Sequence, residues 1–149
     1  MNGALLAEDG TVMQFVGDAV MAVFGAPFPQ EDQADRAVRA SEAMHTRQAT
    51  ANAKWEARGL PAFHLGIGIS TGDVAAALLG SEERLEYSVV GDAVNLAQRL
   101  QQWAQGGQTV LIEPTHAGLS HPPPAERLAP ELVKGRKTPV GAYRVGVPT

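Results

Sequence analysis

The chain has 149 residues, a formal net charge of −4 at pH 7 and no cysteine. This length suits one domain with a core of its own, and an acidic balance without any run of Lys or Arg argues against a nucleic-acid partner. The absence of cysteine excludes disulfides and thiolate metal sites, and no apolar run reaches membrane-spanning length, so we expect a cytoplasmic segment without membrane contact.

The first predicted element is a β-hairpin within residues 11–25. Two apolar runs rich in β-branched residues flank Gly17 and Asp18. Glycine supplies the open backbone that a tight connection needs, so the pair is predicted at the hairpin tip. Asp18 would then hold its carboxylate on a rigid platform, which suits a hard cation. Ordinary turn chemistry explains such a pair as well, so the hairpin alone does not indicate a function.

A long helix is predicted next, from an N-cap at Asp32 to about Arg58, with Gly59 ending it. Small and apolar residues recur along it at helical spacing, which predicts the side that packs on the core. We place His45 on the surface of this helix. The predicted core side consists of Ala34, Ala37, Val38, Ser41, Met44, Ala51 and Trp55.

Residues 63–69 have the period-two pattern of a β-strand. Phe63, Leu65, Ile67 and Ile69 make one side bulky, whereas glycines at 66 and 68 leave the other side nearly bare. A bare strand face indicates that another element packs close to its backbone.

The second half of the chain continues this mixture of elements. A second hairpin is predicted at residues 74–79 and 85–90, and a helix is predicted after it, from Ala93 to about Gln105. The remaining predicted elements are short: a strand at 109–112, a helical turn at 114–119, and strands at 132–133 and 142–147. Because strands and helices do not alternate strictly, the predicted fold class is α+β, an antiparallel-rich sheet with helices packed on one face.

The helix after Gly91 has two chemically distinct sides. Its apolar side is formed by Ala93, Leu96, Ala97, Leu100 and Ala104. Asn95 and Arg99, one turn apart, share the opposite side. That side offers an amide and a permanent cation to a ligand or partner outside the domain. A solvated helix surface explains the pair equally well when this motif is taken alone.

Four motifs follow one another along the chain. They are Val16–Gly25 (VGDAVMAVFG), Gly66–Gly72 (GIGISTG), Gly91–Leu100 (GDAVNLAQRL) and Val133–Arg136 (VKGR). In their order and spacing the chain resembles the catalytic domain of bacterial class III adenylate/guanylate cyclases, from about residue 11 to residue 147. The resemblance implies the ferredoxin-like α+β fold of that family, as a single domain over residues 1–149.

The resemblance also implies a reaction, the intramolecular cyclisation of a purine nucleoside triphosphate with release of pyrophosphate, in intracellular signalling. Asp18 matches one of two aspartates that hold two Mg²⁺ or Mn²⁺ ions. Asn95 and Arg99 match the pair that positions the ribose and stabilises charge on the transferring phosphate, and Lys134 matches the lysine that binds the terminal phosphates. Domains of this family pair head to tail, so we expect a homodimer or heterodimer with its sites between the two chains.

Two features depart from the family pattern. The family's opening strand, which carries the other metal aspartate, and the two helices after it have no counterpart here. We therefore expect an N-terminally incomplete domain with one metal ligand missing, since Asp9 lies too close to Asp18 to replace it. Gln14 and Ser88 stand where adenylate cyclases have Lys with Asp or Thr and guanylate cyclases have Glu with Cys. This neutral pair can be arranged for either purine, so we expect weak selectivity, with ATP preferred and GTP possible.

Two other functions stay open at this point. The chain would be a catalytically silent cyclase-homology module if it only dimerises and regulates attached domains. A palm-like polymerase or diguanylate cyclase is also built around a hairpin with acidic residues at its tip. That function would need a double-glycine acidic signature, which this sequence lacks.

Overall fold

The computed structural model describes residues 8, 10–16, 19–25, 32–63, 65–72, 75–81, 84–104, 106–120, 122–128 and 141–145. In 11–16, 19–20, 75–81 and 84–90 it describes the backbone. These residues contain eight strands and three helices: β1 (Thr11–Val16), β2 (Ala19–Val23), α1 (Gln33–Ala57), β3 (Gly66–Ile69), β4 (Ala75–Ser81), β5 (Arg84–Val90), α2 (Asp92–Trp103), β6 (Gln108–Ile112), α3 (Glu113–Ala117), β7 (Ala125–Arg127) and β8 (Ala142–Val145).

The strands form one four-stranded sheet and two hairpins. The sheet has the order β3-β6-β8-β7, and the hairpins pair β1 with β2 and β4 with β5. Only β3 and β6 run parallel; the other four pairings are antiparallel. A parallel pair needs a crossover, and α2 lies in the chain between β3 and β6. The predicted α+β class with an antiparallel-rich sheet is confirmed.

Strand β6 is the centre of the core, because all of its residues are buried. Val110 and Ile112 pack against Leu96 and Leu100 of α2. Leu111, whose side chain points to the opposite face, packs against Val38 of α1. The helices therefore cover both faces of the four-stranded sheet, and our expectation of helices on one face was wrong. Because β6 is buried on both faces, its apolar residues do not alternate with polar ones, and the sequence does not reveal which face each helix covers.

Helix α1 begins and ends where the sequence predicts. Asp32 stands at its N-cap, and Gly59 follows its last turn with a φ of 76°. The Leu60 amide donates to the Trp55 carbonyl at 2.8 Å and the Gly59 amide to the Glu56 carbonyl at 3.0 Å, the pattern of a Schellman motif. Glycine ends this helix because it adopts positive φ without the steric cost of a Cβ atom.

The predicted core side of α1 is correct only for the first half of the helix. Its buried residues are Ala37, Val38, Ala40, Ser41 and Met44. Ala40, which the prediction omitted, is fully buried, whereas Trp55 is 37% exposed. A helix of 25 residues is about 37 Å long. The residues of its last turns, 51–57, are half-buried or exposed.

The end of α1 is tied to the chain segment before β3 by one side chain. The Asn52 amide group donates to the Phe63 carbonyl at 2.8 Å and accepts from the Phe63 amide at 2.9 Å. This paired bond satisfies both backbone groups of a residue that has no strand partner there. The large apolar side chains of Trp55, Leu60 and Phe63, near this connection in the sequence, are exposed.

Smaller differences concern the strands. Strand β4 continues through Gly80 and Ser81, beyond the predicted end of the strand at residue 79. Strand β7 was not predicted, because its three residues are all exposed and show no alternation. The predicted strand at 132–133 lies outside the described residues.

His45 is half-buried instead of lying on the surface. Its Nε2 atom lies 3.0 Å from the Thr109 hydroxyl of β6. Burial is the main influence on this side chain and lowers its pKa below the ordinary value of 6.5, although a backbone contact with Gln108 acts in the opposite direction. The folded protein therefore keeps His45 neutral at a pH at which the unfolded chain binds a proton.

This shift predicts that the free energy of unfolding falls as the pH drops below 6.5, where the unfolded chain gains a proton that the folded protein does not. Above that pH the full stability is present. The slope attributable to His45 is below about 1.4 kcal/mol per pH unit, the limit for one proton. Denaturant unfolding between about pH 8 and about pH 5 measures it, and His45→Gln should reduce the slope. Thr109→Val leaves His45 buried and should therefore leave the slope unchanged. An unchanged slope in His45→Gln would contradict this origin.

Candidate functional site

Helix α2 presents the predicted pair to solvent. Asn95 and Arg99 are both exposed, one turn apart, while Leu96 and Leu100 of the same helix are buried. The predicted division of this helix into a core side and a polar side is confirmed. The sheet therefore holds the helix from behind, and the amide and the guanidinium point away from it.

The start of α2 fixes the backbone of Asn95. Strand β5 ends at Val90, and the Gly91 carbonyl accepts from the amides of Val94 at 3.1 Å and Asn95 at 3.5 Å. Asn95 is thus held in the first turn of the helix, directly after a strand. Such a strand-to-helix junction is a rigid place for a functional side chain.

Arg99 has one hydrogen-bond partner on its own helix. Its Nη1 atom donates to Gln102 Oε1 at 3.2 Å, and both side chains are exposed. This bond uses one of the five N–H groups of the guanidinium. An arginine in this position has further donors in the planar arrangement that matches the oxygens of a phosphate.

Helix α2 lies directly on the backbone of strand β3. A Cβ atom added to Gly68 would stand 3.0 Å from Gln101 Cα and closer still to backbone atoms of Ala97 and Gln101. A Cβ atom on Gly66 would lie 3.1 Å from the Ala104 carbonyl oxygen. The prediction that another element packs against this bare strand face is confirmed, and that element carries Asn95 and Arg99.

A third residue of this face was not predicted to make a contact. The Ser70 hydroxyl, just after β3, donates to the carbonyl of Ala93 in the first turn of α2. The signal was present in the alternation of Gly66, Gly68 and Ser70, since every second residue of a strand faces the same side. The bare strand face predicts only a close neighbour and not this hydrogen bond.

The predicted base-recognition residues lie on two strands that contact each other, β1 and β5. Gln14 pairs with Met21 across the first hairpin, next to an irregularity in register between Val12 and Gln14. Ser88 pairs with Ala77 in the second hairpin. Only the backbone of Gln14 and Ser88 is described, so their assignment to the purine remains a prediction.

Two predicted residues fall outside the described part of the chain. They are Asp18, the predicted metal ligand, and Lys134, the predicted phosphate ligand. Val16 and Ala19, on either side of residues 17–18, pair with each other as the predicted hairpin requires. Within the described ranges no three His, Asp or Glu side chains come together in a group that could hold a metal ion.

Among the described helices, none is both long and apolar enough to cross a bilayer.

Comparison with solved structures identifies close relatives of this fold. A guanylyl cyclase named Cya2 superimposes with a TM-score of 0.85 at 34% identity, over 99% of this chain and 75% of that one. The adenylyl cyclase CyaB from P. aeruginosa gives a TM-score of 0.89 at 29% identity, over 99% of this chain and 76% of that one. Relatives named for different purines are thus similar to this chain.

Comparison with characterised sequences agrees. Adenylate cyclase 1 of Rhizobium meliloti (strain 1021) is 41% identical over 95 residues, which is 64% of this chain but 14% of that protein. The chain therefore corresponds to a small part of a much longer relative. The family model "Adenylate and Guanylate cyclase catalytic domain" matches residues 4–145. Because this match covers nearly the whole sequence, the chain belongs to the adenylate and guanylate cyclase catalytic domain family.

Proposed function

We propose that this domain is a purine nucleotidyl cyclase. It converts a nucleoside triphosphate, ATP preferentially and GTP to a smaller extent, into the 3′,5′-cyclic monophosphate and pyrophosphate. The observation that carries the proposal is the exposed Asn95/Arg99 pair on α2, held against the sheet within a chain that matches the cyclase family almost throughout. Cyclic nucleotide production by such a domain serves intracellular signalling.

The reaction exchanges one phosphorus–oxygen bond for another. The 3′-oxygen bonds to the α-phosphorus, the bond from that phosphorus to the bridging oxygen breaks, pyrophosphate leaves with the electron pair, and the hydroxyl proton passes to solvent. Protein contributes mainly alignment and charge stabilisation to such transfers. In our proposal Asn95 orients the ribose, and Arg99 donates to the phosphate oxygens on which charge develops. Lys134 binds the terminal phosphates.

The proposed cofactor is Mg²⁺ or Mn²⁺, with Asp18 as the ligand in this chain. A carboxylate is the oxygen donor that such hard cations prefer, and the hairpin pairing on either side of residues 17–18 suits a rigid ligand platform. A bound divalent ion would neutralise phosphate charge and favour ionisation of the attacking hydroxyl. The described residues contain no group of three or more His, Asp or Glu side chains that could hold a metal ion.

The proposed active assembly is a head-to-tail dimer. Asn95 and Arg99 are exposed on the side of α2 that faces away from its own sheet. A ligand bound there would contact this domain from one direction only. A second chain is therefore needed to enclose the ligand and exclude water. In our proposal one chain supplies Asp18 and its partner supplies Asn95, Arg99 and Lys134.

We predict that Asp18→Ala and Arg99→Ala each lower kcat in the whole gene product at least about a hundredfold, since the metal ligand and the phosphate donor act on the reacting atoms. Cyclic nucleotide formation with ATP and Mn²⁺ measures the effect. Arg47→Ala, at an exposed arginine on α1, is the matched control and should retain the parent's rate. A parent protein that folds, dimerises and binds ATP without turnover would instead identify a catalytically silent module.

The dimer predicts complementation between two inactive variants. An equal mixture of Asp18→Ala and Arg99→Ala protein, allowed to exchange subunits, should recover about a quarter of the parent activity, because half of the dimers are mixed and each has one intact site. Native mass spectrometry establishes that mixed dimers form. If mixed dimers are present and no activity returns, the two residues do not serve one shared site.

Base selectivity gives a further prediction. Gln14 and Ser88 carry no charge, and neutral hydrogen bonds are about half as strong as charge-assisted ones, so ATP and GTP should both be converted, with modest preference for ATP. Gln14→Lys combined with Ser88→Asp should increase that preference at least about tenfold, because the new charges match the ring nitrogen and amino group of adenine. The ratio of kcat/KM for the two nucleotides measures it. Strong exclusion of GTP by the parent would show that other residues recognise the base.

A further inference from the structure

Strand β3 and the residue after it contact helix α2 at three successive points along one face. Gly66 lies against Ala104, Gly68 against Ala97 and Gln101, and Ser70 against Ala93. The strand and the helix therefore run in opposite directions. Two residues of a strand span about 6.6 Å, and four residues of a helix span about 6 Å. Contacts at every second strand residue therefore stay in register with contacts at about every fourth helix residue.

The contact lies behind the proposed catalytic pair. Successive helix residues are about 100° apart, which places Asn95 about 200° from both Ala93 and Ala97, on nearly the opposite side. Arg99 has the same relation to Ala97 and Gln101. Any movement of α2 away from β3 therefore displaces Asn95 and Arg99 outward by a similar distance.

The hydroxyl of Ser70 adds a directional bond at the end of the helix where Asn95 stands. The Ala93 carbonyl that accepts from it belongs to the first turn, two residues before Asn95. A glycine contact sets how closely the helix approaches the strand, but it does not prevent the helix from sliding along the strand or rotating about its own axis. A hydrogen bond to one carbonyl fixes both, because its strength depends on distance and angle.

We propose that Ser70 is a positioning residue for catalysis, which sets the place of Asn95 and Arg99 through the Ala93 carbonyl, while Gly68 sets the depth of α2 on the sheet. This inference rests on the proposed cyclase function. It adds to that function a residue that touches neither the nucleotide nor the metal.

Ser70→Ala tests the hydroxyl directly. We expect kcat for ATP to fall about tenfold with KM changed less than about twofold, because an ångström of displacement at reacting groups costs on the order of a hundredfold in rate. Ser70→Thr keeps the hydroxyl and should recover most of the rate. Thr71→Val is the matched control: its hydroxyl lies 2.7 Å from that of Thr115 on α3, so its loss weakens a neighbouring contact without touching α2.

A double-mutant cycle separates positioning from general destabilisation. If Ser70 acts through the helix, Ser70→Ala should add almost nothing to the loss already caused by Arg99→Ala and Asn95→Ala together. If its effect is only structural, the losses in rate should multiply. Equal kcat values for Ser70→Ala and Thr71→Val would overturn the proposal.

Hydrogen exchange gives a result that does not depend on activity. Ser70→Ala should speed amide exchange in residues 93–97 relative to Thr71→Val, because the first turn of α2 loses its attachment to β3. Gly68→Ala should move the helix, visible as altered exchange along all of 93–104. If the parent protein has no cyclase activity, the proposed function is wrong, and hydrogen exchange alone then tests whether Ser70 attaches α2 to β3. Unchanged exchange in Ser70→Ala would refute the attachment.

Discussion

The close approach of helix α2 to the backbone of strand β3 is the constraint on which the rest of this structure depends. It requires residues without side chains at Gly66 and Gly68, since a Cβ atom at either position would meet helix backbone. With α2 at this depth, Leu96 and Leu100 reach the buried strand β6. The apolar contact stabilises the helix, and the absence of side chains on β3 determines how near it lies. Both effects act on the same element that carries the exposed polar pair.

Much of this arrangement could be predicted from local pattern. Helical spacing in α2 and the glycine after α1 each have one physical interpretation, and the structure agrees with both. Period two at 63–69 predicts a strand, and the observed strand covers the later part of it, Gly66–Ile69. The predictions that failed depend on distant parts of the chain. Half-burial of His45 accompanies its packing near strand β6, whose Thr109 contacts it from 64 residues away in the sequence. Placement of helices on both faces depends on which side of β6 each helix packs, which a continuous apolar run does not encode.

The candidate site likewise contains some features that local sequence pattern predicts and others that it does not. Exposure of Asn95 and Arg99 follows from the helical period together with burial of their neighbours, so sequence alone places them correctly. The roles given to Asp18, Gln14, Ser88 and Lys134 come from resemblance to a family, because a single residue carries no periodic signal. The contact of Ser70 was not predicted, since a serine after a strand has many possible hydrogen-bond partners and only tertiary packing selects one.

The two tryptophans of this chain occupy contrasting environments. Trp55 is exposed in the last turns of α1, whereas Trp103 ends α2 and packs against the cluster that contains Leu100 and Val110. Indole emission shifts with the polarity around the ring, so the two fluorophores report on different parts of the molecule. With Trp55→Phe, the remaining emission would come from Trp103 alone. The protein thus contains an intrinsic optical probe at the far end of the helix that bears Asn95 and Arg99.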